Sequence, residues 1–300
     1  MKRLLRRSIL RFTEVVGLDK TAVITGQIMG QKLALQQCLP NLAAAEFSVF
    51  SQWGEDGIIS WLIDRTNCTN DCFVEFGVED FREANCRYLL ITRNWRGMVI
   101  DGSEDNIKAI RSSTLSWKYD LQSQEAFITR DTIEELIVSA GFGPSLGLLS
   151  VDIDGVDYWV LERIQNSCDI VVVEYNDLFS GHPISVPYES AFVRLQKDPS
   201  GMYWGASLDA FRHLLEGRGY LFVGTNRAGT NAFFVAGKYR QVMQASLAEM
   251  RAWPCRMREV RNPDGSLTLK TYRECAERIA SLPVVNVVTG QSLSVGDILH

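Results

Sequence analysis

The chain has 300 residues, a formal net charge of -5 at pH 7 and a hydrophobic fraction of 46%. This length and apolar content suit one large core, and no Pro/Gly/Ser-rich linker divides the chain. The acidic balance argues against a nucleic-acid partner, because proteins that bind nucleic acids usually present a basic face.

Residues 1–12 are basic and amphipathic, without the long apolar core of a signal peptide. They suit either a solvated helix packed on the domain or a peripheral contact with an anionic membrane surface. No apolar run approaches the roughly 20 residues that cross a bilayer. The seven scattered cysteines are typical of reduced thiols, so we expect a cytoplasmic protein, or a membrane-peripheral one.

The pattern of the chain predicts three regions. We expect an N-terminal helical extension over residues 1–49, an α/β domain over 50–240, and a C-terminal helical extension over 241–300 packed on that domain. The last region is expected to contain helices and a short strand near residues 284–288.

Two short apolar segments early in the α/β region each end in an acid and a glycine. We predict strands at 73–77 and 97–101 with a crossover helix over 83–94, which makes a βαβ unit. Ligands of such sheets bind beyond the carboxyl ends of the strands. Asp101 can there accept both hydrogen bonds of a ribose diol, and Gly77 leaves room for a ligand to approach the backbone.

The following elements continue the alternation. We predict a strand at 126–128, a helix that opens at 129–132, and strands at 146–152 and 170–174 around a helix at 158–164. A long lid-like loop is expected after residue 178. It is followed by a helix at 205–217 and by strands at 220–223 and 232–235. The last two strands form an antiparallel hairpin. The fold class is therefore a Rossmann-like, mostly parallel sheet of seven strands flanked by helices.

Four motifs stand in order along this pattern. They are Ser-Gln-Trp-Gly-Glu-Asp at 51–56, Phe-Val-Glu-Phe-Gly at 73–77, Trp-Arg-Gly-Met-Val-Ile-Asp at 95–101, and Leu-Ser-Val-Asp-Ile-Asp-Gly at 149–155. Over about residues 50–235 the chain resembles FkbM-type class I S-adenosylmethionine-dependent methyltransferases. It departs from the common pattern at Glu79 and Phe81, which stand where glycines are often found.

The resemblance implies S-adenosylmethionine as cofactor. Its implied contacts are Glu75, Gly77, Asp101, Gly102, Ser103 and Asp152. Glu75 would support the loop after the first strand through backbone amides, and Gly102 and Ser103 would border the adenosine. Thr129 and Asp131 lie where adenine is usually held, but both also suit helix capping.

A second group of polar residues follows strands four and five. Asp152, Asp154 and Glu174 should converge, because adjacent parallel strands end about 5 Å apart. Oxygen ligands in this number suit Mg²⁺ or Ca²⁺. By similarity to metal-dependent O-methyltransferases, the metal ligands would be Asp154, Glu174 and Asn176; the alternative is ion pairing or capping, with one acid as a metal-free base.

The predicted catalytic residues are Asp154, Glu174 and His182, since a histidine in the lid can accept a hydroxyl proton. We expect an O-methyltransferase that acts on a hydroxyl of a sugar or glycan, as in polysaccharide biosynthesis, or of a small natural product. Two alternatives stay open: a metal-dependent glycosyltransferase that uses a nucleotide sugar, and a non-catalytic methyltransferase-like binding protein.

Overall fold

The structure is a computed structural model that describes residues 18–299, so the basic segment 1–12 lies outside the described residues. The α-helices are α1 (Leu18–Ala34), α2 (Glu55–Thr66), α3 (Arg87–Arg93), α4 (Glu104–Arg111), α5 (Leu115–Lys118), α6 (Ile133–Ser139), α7 (Asp157–Arg163), α8 (Arg194–Lys197), α9 (Leu208–Gly217), α10 (Arg240–Ser246) and α11 (Tyr272–Cys275).

The strands are β1 (Leu39–Asn41), β2 (Cys72–Phe76), β3 (Arg96–Asp101), β4 (Leu121–Glu125), β5 (Ser145–Val151), β6 (Ser167–Glu174), β7 (Ile184–Ser185), β8 (Leu221–Thr225), β9 (Asn231–Val235), β10 (Leu247–Glu249), β11 (Pro283–Asn286) and β12 (Ser292–Ser294).

The central sheet has seven strands in the order β4-β3-β2-β5-β6-β9-β8. The first five of these run parallel, and β9 pairs antiparallel with both β6 and β8. This confirms the predicted fold class, the Rossmann-like sheet of class I methyltransferases with its antiparallel hairpin. The chain leaves β2 toward one edge of the sheet and returns at β5, so the strand order reverses between β2 and β5. Such a reversal opens a crevice at the carboxyl ends.

The central strands β2, β5 and β6 are buried on both faces, which explains their continuous apolar sequences. Along β2, Val74 and Phe76 pack into the hydrophobic cluster on one face, whereas Phe73 packs into the cluster on the other. The helices cover both faces and leave the carboxyl ends of the strands open.

Two small sheets join the terminal regions to the domain. β1 pairs parallel with β10, and β11 pairs antiparallel with β7 and β12. Between them, residues 250–261 run in extended form across the carboxyl edge of the sheet. The Trp253 amide donates to the Thr225 hydroxyl at 2.9 Å, and the Arg261 amide donates to the Ser200 carbonyl at 3.0 Å.

Two local predictions were wrong. The predicted strand at 126–128 is a loop, and the strand is β4, whose polar sequence is tolerated because it has only one neighbour at the sheet edge. The predicted helix over 83–94 begins only at Arg87, since Glu75 holds the preceding residues as a loop. Residues 241–299 hold short helices together with β10, β11 and β12, and β11 lies where the short strand near residues 284–288 was predicted.

Among residues 18–299, no helix combines the length and apolar character that a bilayer crossing requires.

Candidate functional site

A cavity of about 730 Å³ lies at the carboxyl ends of β2, β3, β5 and β6. The loop after β2 and the end of β3 form one wall, and the ends of β5 and β6 form the opposite wall. Residues from α8 and from the extended segment 250–261 close it from above. Its charged lining is mainly acidic, with Arg194 and Arg261 as the basic residues of the lining. The acidic residues are Glu75, Glu79, Glu83, Asp101, Asp152, Asp154, Glu174 and Glu259.

The loop after β2 has an unusual backbone. Gly77, Glu79 and Phe81 all have positive φ, at 70°, 47° and 59°. This is the left-handed region that glycine adopts most readily, and it costs other residues roughly 1–2 kcal/mol each. The loop therefore keeps the alternating conformation of a glycine-rich loop, although two of its positions are not glycine.

Gly77 also fixes how closely β2 and β5 approach each other. A Cβ at this position would overlap the carbonyl oxygen of Asp152. The glycine was predicted to admit a ligand; in the structure the Asp152 carbonyl occupies the space of the missing Cβ, so Gly77 lets the two strand ends touch at the point where the sheet order reverses.

Glu75 holds the loop from inside. Its two carboxylate oxygens accept the backbone amides of Asn85 and Cys86 at 2.7 and 3.0 Å, which confirms the predicted use of backbone amides. Burial raises the pKa of Glu75 to about 7, although the two amide donors oppose the shift.

Asp101 closes the same loop from the neighbouring strand. It accepts the amide of Glu79 at 2.8 Å on one oxygen, and on the other it accepts the amide of Ser103 at 2.8 Å and the Asn106 side-chain amide at 3.0 Å. A carboxylate offers about four acceptor positions, so some capacity is left for a ligand. Asp101 lines the cavity and shapes its wall as well.

The next predicted residues have different surroundings. Gly102 lines the cavity, whereas Ser103 is not part of its lining and caps α4 by accepting the amide of Asn106 at 3.4 Å. Thr129 and Asp131 bond to each other in the turn before α6 and are not among the lining residues, so capping-type contacts explain both. Phe127 lines the cavity in their place.

Three carboxylates meet on the opposite wall. One oxygen each of Asp152, Asp154 and Glu174 lies within 4.8 Å of the others, as the strand pairing predicted. Asp152 and Glu174 are partly buried and in hydrogen-bond contact, and Asp154 is exposed. Burial and the neighbouring carboxylates raise the pKa of both Asp152 and Glu174 well above the usual range. Both carboxyl groups therefore favour the protonated form more than exposed carboxyl groups do.

Asp157 supports this wall from below. Its carboxylate accepts the amides of Ile153 and Gly155 at 2.7 and 2.9 Å and thereby fixes the turn that carries Asp154. Asp154 has a φ of 55°, so this turn too contains a left-handed residue other than glycine.

Arg194 brings a positive charge to the carboxylates. Its guanidinium pairs with Asp154, pairs with Glu259 at 2.7 Å, and lies 4.8 Å from the ring centroid of Trp204. Its Nε donates to the Gly201 carbonyl at 2.7 Å. The side chain is 17% exposed and is held from several sides. No sequence signal marked it, because α8 is one turn within an irregular segment.

Two predicted site residues lie elsewhere. The amide nitrogen of Asn176 donates to the carbonyls of Met202 and Trp204 at 2.9 and 3.1 Å, so this buried side chain anchors a loop and does not line the cavity. His182 is exposed and is not part of the cavity lining either. The lid prediction failed for it because its segment forms β7 and pairs with β11.

Asn231 supplies an amide near the carboxylates. It faces Glu174 in the β6–β9 register and lines the cavity. Its Nδ2 donates to Glu55 at 2.9 Å, while its Oδ1 and the Oε2 of Glu174 are buried without a hydrogen-bond partner. Buried acceptors without donors are costly, so both oxygens suit a ligand that brings donors or positive charge.

The motif at 51–56 is mainly structural. One oxygen of the buried Asp56 accepts the amides of Val49, Phe50 and Ser51 at 2.6, 2.7 and 2.9 Å. Of the six motif residues, Gln52 alone is among the lining residues of the cavity.

Comparison with known proteins returns distantly similar solved structures and no matching sequence. No protein-family model matches the chain, and no curated protein matches it. The N-terminal domain of EvdMO1, solved with SAH and D-fucose, is 9% identical, with 61% of this chain and 82% of that chain covered and a TM-score of 0.41. The O-methyltransferase from Bacillus cereus in complex with SAH is 12% identical, with 71% and 89% covered and a TM-score of 0.40. Similarity at this level assigns neither a family nor an activity to this chain.

The strained loop predicts the effect of one substitution. Glu79→Gly should raise the free energy of unfolding by about 0.5–1 kcal/mol, because glycine adopts the positive φ of 47° without steric cost. Urea denaturation measures the change. The matched control is Glu83→Gly, because Glu83 is an exposed acid of the same loop without positive φ. This substitution should lower the free energy of unfolding by about 0.4–1 kcal/mol. Equal losses in the two variants would show that Glu79 is not strained.

The crowded carboxylates predict a stability that depends on pH. The pKa of Glu174 is raised in the folded state, so the folded state binds more protons than the unfolded state, and stability falls as the pH rises from the usual glutamate range toward the raised pKa. Glu174→Gln should therefore be more stable than the wild type at pH 8, by about 1 kcal/mol, and gain less at pH 5.

Urea denaturation at both pH values checks this expectation. The exposed Glu249, replaced by Gln, is the control and should change little at either pH. A Glu174→Gln variant that is less stable than the wild type at pH 8 contradicts the account of the carboxylate cluster.

Proposed function

We propose that the chain is an S-adenosylmethionine-dependent methyltransferase of the FkbM type that methylates a hydroxyl group of a sugar, a glycan or a small natural product. The observation that carries the proposal is the single crevice at the β2–β5 reversal, which joins a glycine-type loop and Asp101 on one wall to three carboxylates on the other. The four ordered sequence motifs support the same assignment.

The cavity fits the cofactor in size and charge. Its 730 Å³ lies within the usual range for small-molecule sites, and its acidic lining suits a ligand with a sulfonium and an amino group. Asp101 and Gly102 would border the ribose and adenine, and Phe127 offers a ring face beside them. When bound, S-adenosylmethionine supplies a methyl group that an oxygen nucleophile can attack.

The residues of the opposite wall would handle the acceptor. The pair Asp152 and Glu174 has the position and the raised pKa of a general base that takes the proton of a hydroxyl near neutral pH. Arg194 would hold Asp154 in place and balance the negative charge of the carboxylates before the proton arrives. His182 is exposed and lies outside the cavity lining, so the proposal gives it no role.

A divalent cation such as Mg²⁺ also fits this wall. The three carboxylates and the unpartnered Oε2 of Glu174 form a hard oxygen donor set, with Asn231 in place of the predicted Asn176. The ion would polarise the acceptor hydroxyl and lower its pKa. The ion pair between Arg194 and Asp154 offers a metal-free arrangement of the same residues.

The loop geometry bears on the alternative of a non-catalytic protein. That alternative rested on the missing glycines at positions 79 and 81, but both residues adopt the glycine-type conformation. The loop shape that a methionine group would need is thus retained.

Replacing Gly102 tests cofactor binding most directly. Replacing Asp101 would also disturb the cavity wall, because Asp101 holds the loop after β2. A Cβ at Gly102 would have no heavy-atom neighbour closer than 3.7 Å, so Gly102→Leu should fold normally and fill the cavity. We expect the wild type to bind S-adenosylhomocysteine in isothermal titration calorimetry and Gly102→Leu to bind at least about tenfold more weakly.

The control is Gly217→Leu, on an exposed helix position with no neighbour within 4 Å of the new Cβ, which should bind like the wild type. UDP-glucose with Mg²⁺ is titrated in parallel. Binding of UDP-glucose without binding of S-adenosylhomocysteine would reject the proposal in favour of a glycosyltransferase.

A further inference from the structure

The outward face of α1 carries an aliphatic stripe. Ile24 and Ile28 are 57% and 60% exposed, and Leu35, directly after the helix, is 84% exposed. Spacings of four and seven residues place these side chains on one face of a helix. Single exposed aliphatic residues are ordinary, but an aligned set marks a surface that can bind an apolar partner.

The opposite face of α1 fixes this orientation. Gly26 and Leu33 are buried, and a Cβ at Gly26 would lie 2.6 Å from Cγ2 of Val49. The helix therefore packs closely through its small and apolar inner residues, and rotation that would bury Ile24 and Ile28 is not compatible with this packing.

Basic charge is concentrated in the same part of the sequence. Residues 1–38 hold seven of the 31 Lys and Arg residues but only two of the 36 Asp and Glu residues. The rest of the chain is strongly acidic, since the whole chain has a net charge of -5. Lys20 and Lys32 lie on α1 itself, among the exposed residues.

We propose that α1, with its exposed Lys20 and Lys32, binds the surface of an anionic phospholipid bilayer. Ile24, Ile28 and Leu35 would enter the boundary between headgroups and acyl chains, while the basic side chains neutralise lipid phosphates. Charge complementarity favours an anionic bilayer as the partner of this surface. The bilayer repels the acidic remainder of the protein, so the basic part of the chain is oriented toward it. The proposal is independent of the enzymatic one.

Sedimentation of the full chain with vesicles tests the proposal. We expect binding to vesicles of phosphatidylcholine with phosphatidylglycerol, little binding to pure phosphatidylcholine, and loss of binding as salt rises, because salt screens the charges. Failure to bind the anionic vesicles at low salt overturns the proposal.

Two double variants separate the stripe from general charge effects. Ile24→Asp with Ile28→Asp should weaken vesicle binding at least about tenfold. The control is Val138→Asp with Leu269→Asp, which adds the same charge at two aliphatic residues outside α1 that are 67% and 66% exposed. This variant should bind vesicles like the wild type. Equal loss in both variants overturns the role of α1.

Light scattering after gel filtration addresses a second copy as occupant. We expect the oligomeric state of the wild type to equal that of the Ile24→Asp/Ile28→Asp variant. A dimer of the wild type that this variant dissociates would assign the stripe to self-association and overturn the membrane proposal. A urea denaturation midpoint of the variant close to that of the wild type shows that the domain is still folded.

Discussion

The close approach of the carboxyl ends of β2 and β5 is the constraint on which the candidate site depends. Only a residue without a Cβ fits at Gly77, because the Asp152 carbonyl oxygen occupies that space. The contact lies where the strand order reverses, so the loop after β2 and the turn after β5 must diverge from one point. Glu75 and Asp101 then hold the first loop, and Asp157 holds the second turn. A wide crevice follows from this arrangement of the backbone.

The arrangement of charges in the site destabilises the folded state, and this destabilisation points to a function. Asp152 and Glu174 share a buried wall with raised pKa values, and two buried oxygens, on Glu174 and Asn231, have no hydrogen-bond partner. A fold without a ligand to bind would gain stability from apolar residues here. Strain adds to this cost, since Glu79, Phe81 and Asp154 have positive φ around the same cavity. Clusters of raised pKa values and backbone strain are typical of functional sites.

The sequence predicted the parts of the structure that depend on repeating apolar patterns. The buried strands around Val74, Leu149 and Val172 and the convergence of Asp152, Asp154 and Glu174 follow from strand order alone. The polar edge strand β4 has no such pattern and was missed. Asn176 and His182 were misplaced because side-chain hydrogen bonds and the β7–β11 pairing decide their positions, and these depend on residues distant in sequence. Asn231 could have been predicted as a site residue, because the hairpin register places it opposite Glu174. Arg194 and Glu259 could not have been predicted from the sequence, since both lie in irregular segments.

A crystal structure of the full chain with S-adenosylhomocysteine is the most direct test of the central claim that the crevice at the β2–β5 reversal is the cofactor site. We expect the ligand to lie over the loop after β2, with its ribose hydroxyls toward Asp101 and its adenine beside Gly102 and Phe127. A ligand bound elsewhere on the molecule, with the crevice occupied by solvent, would contradict the account.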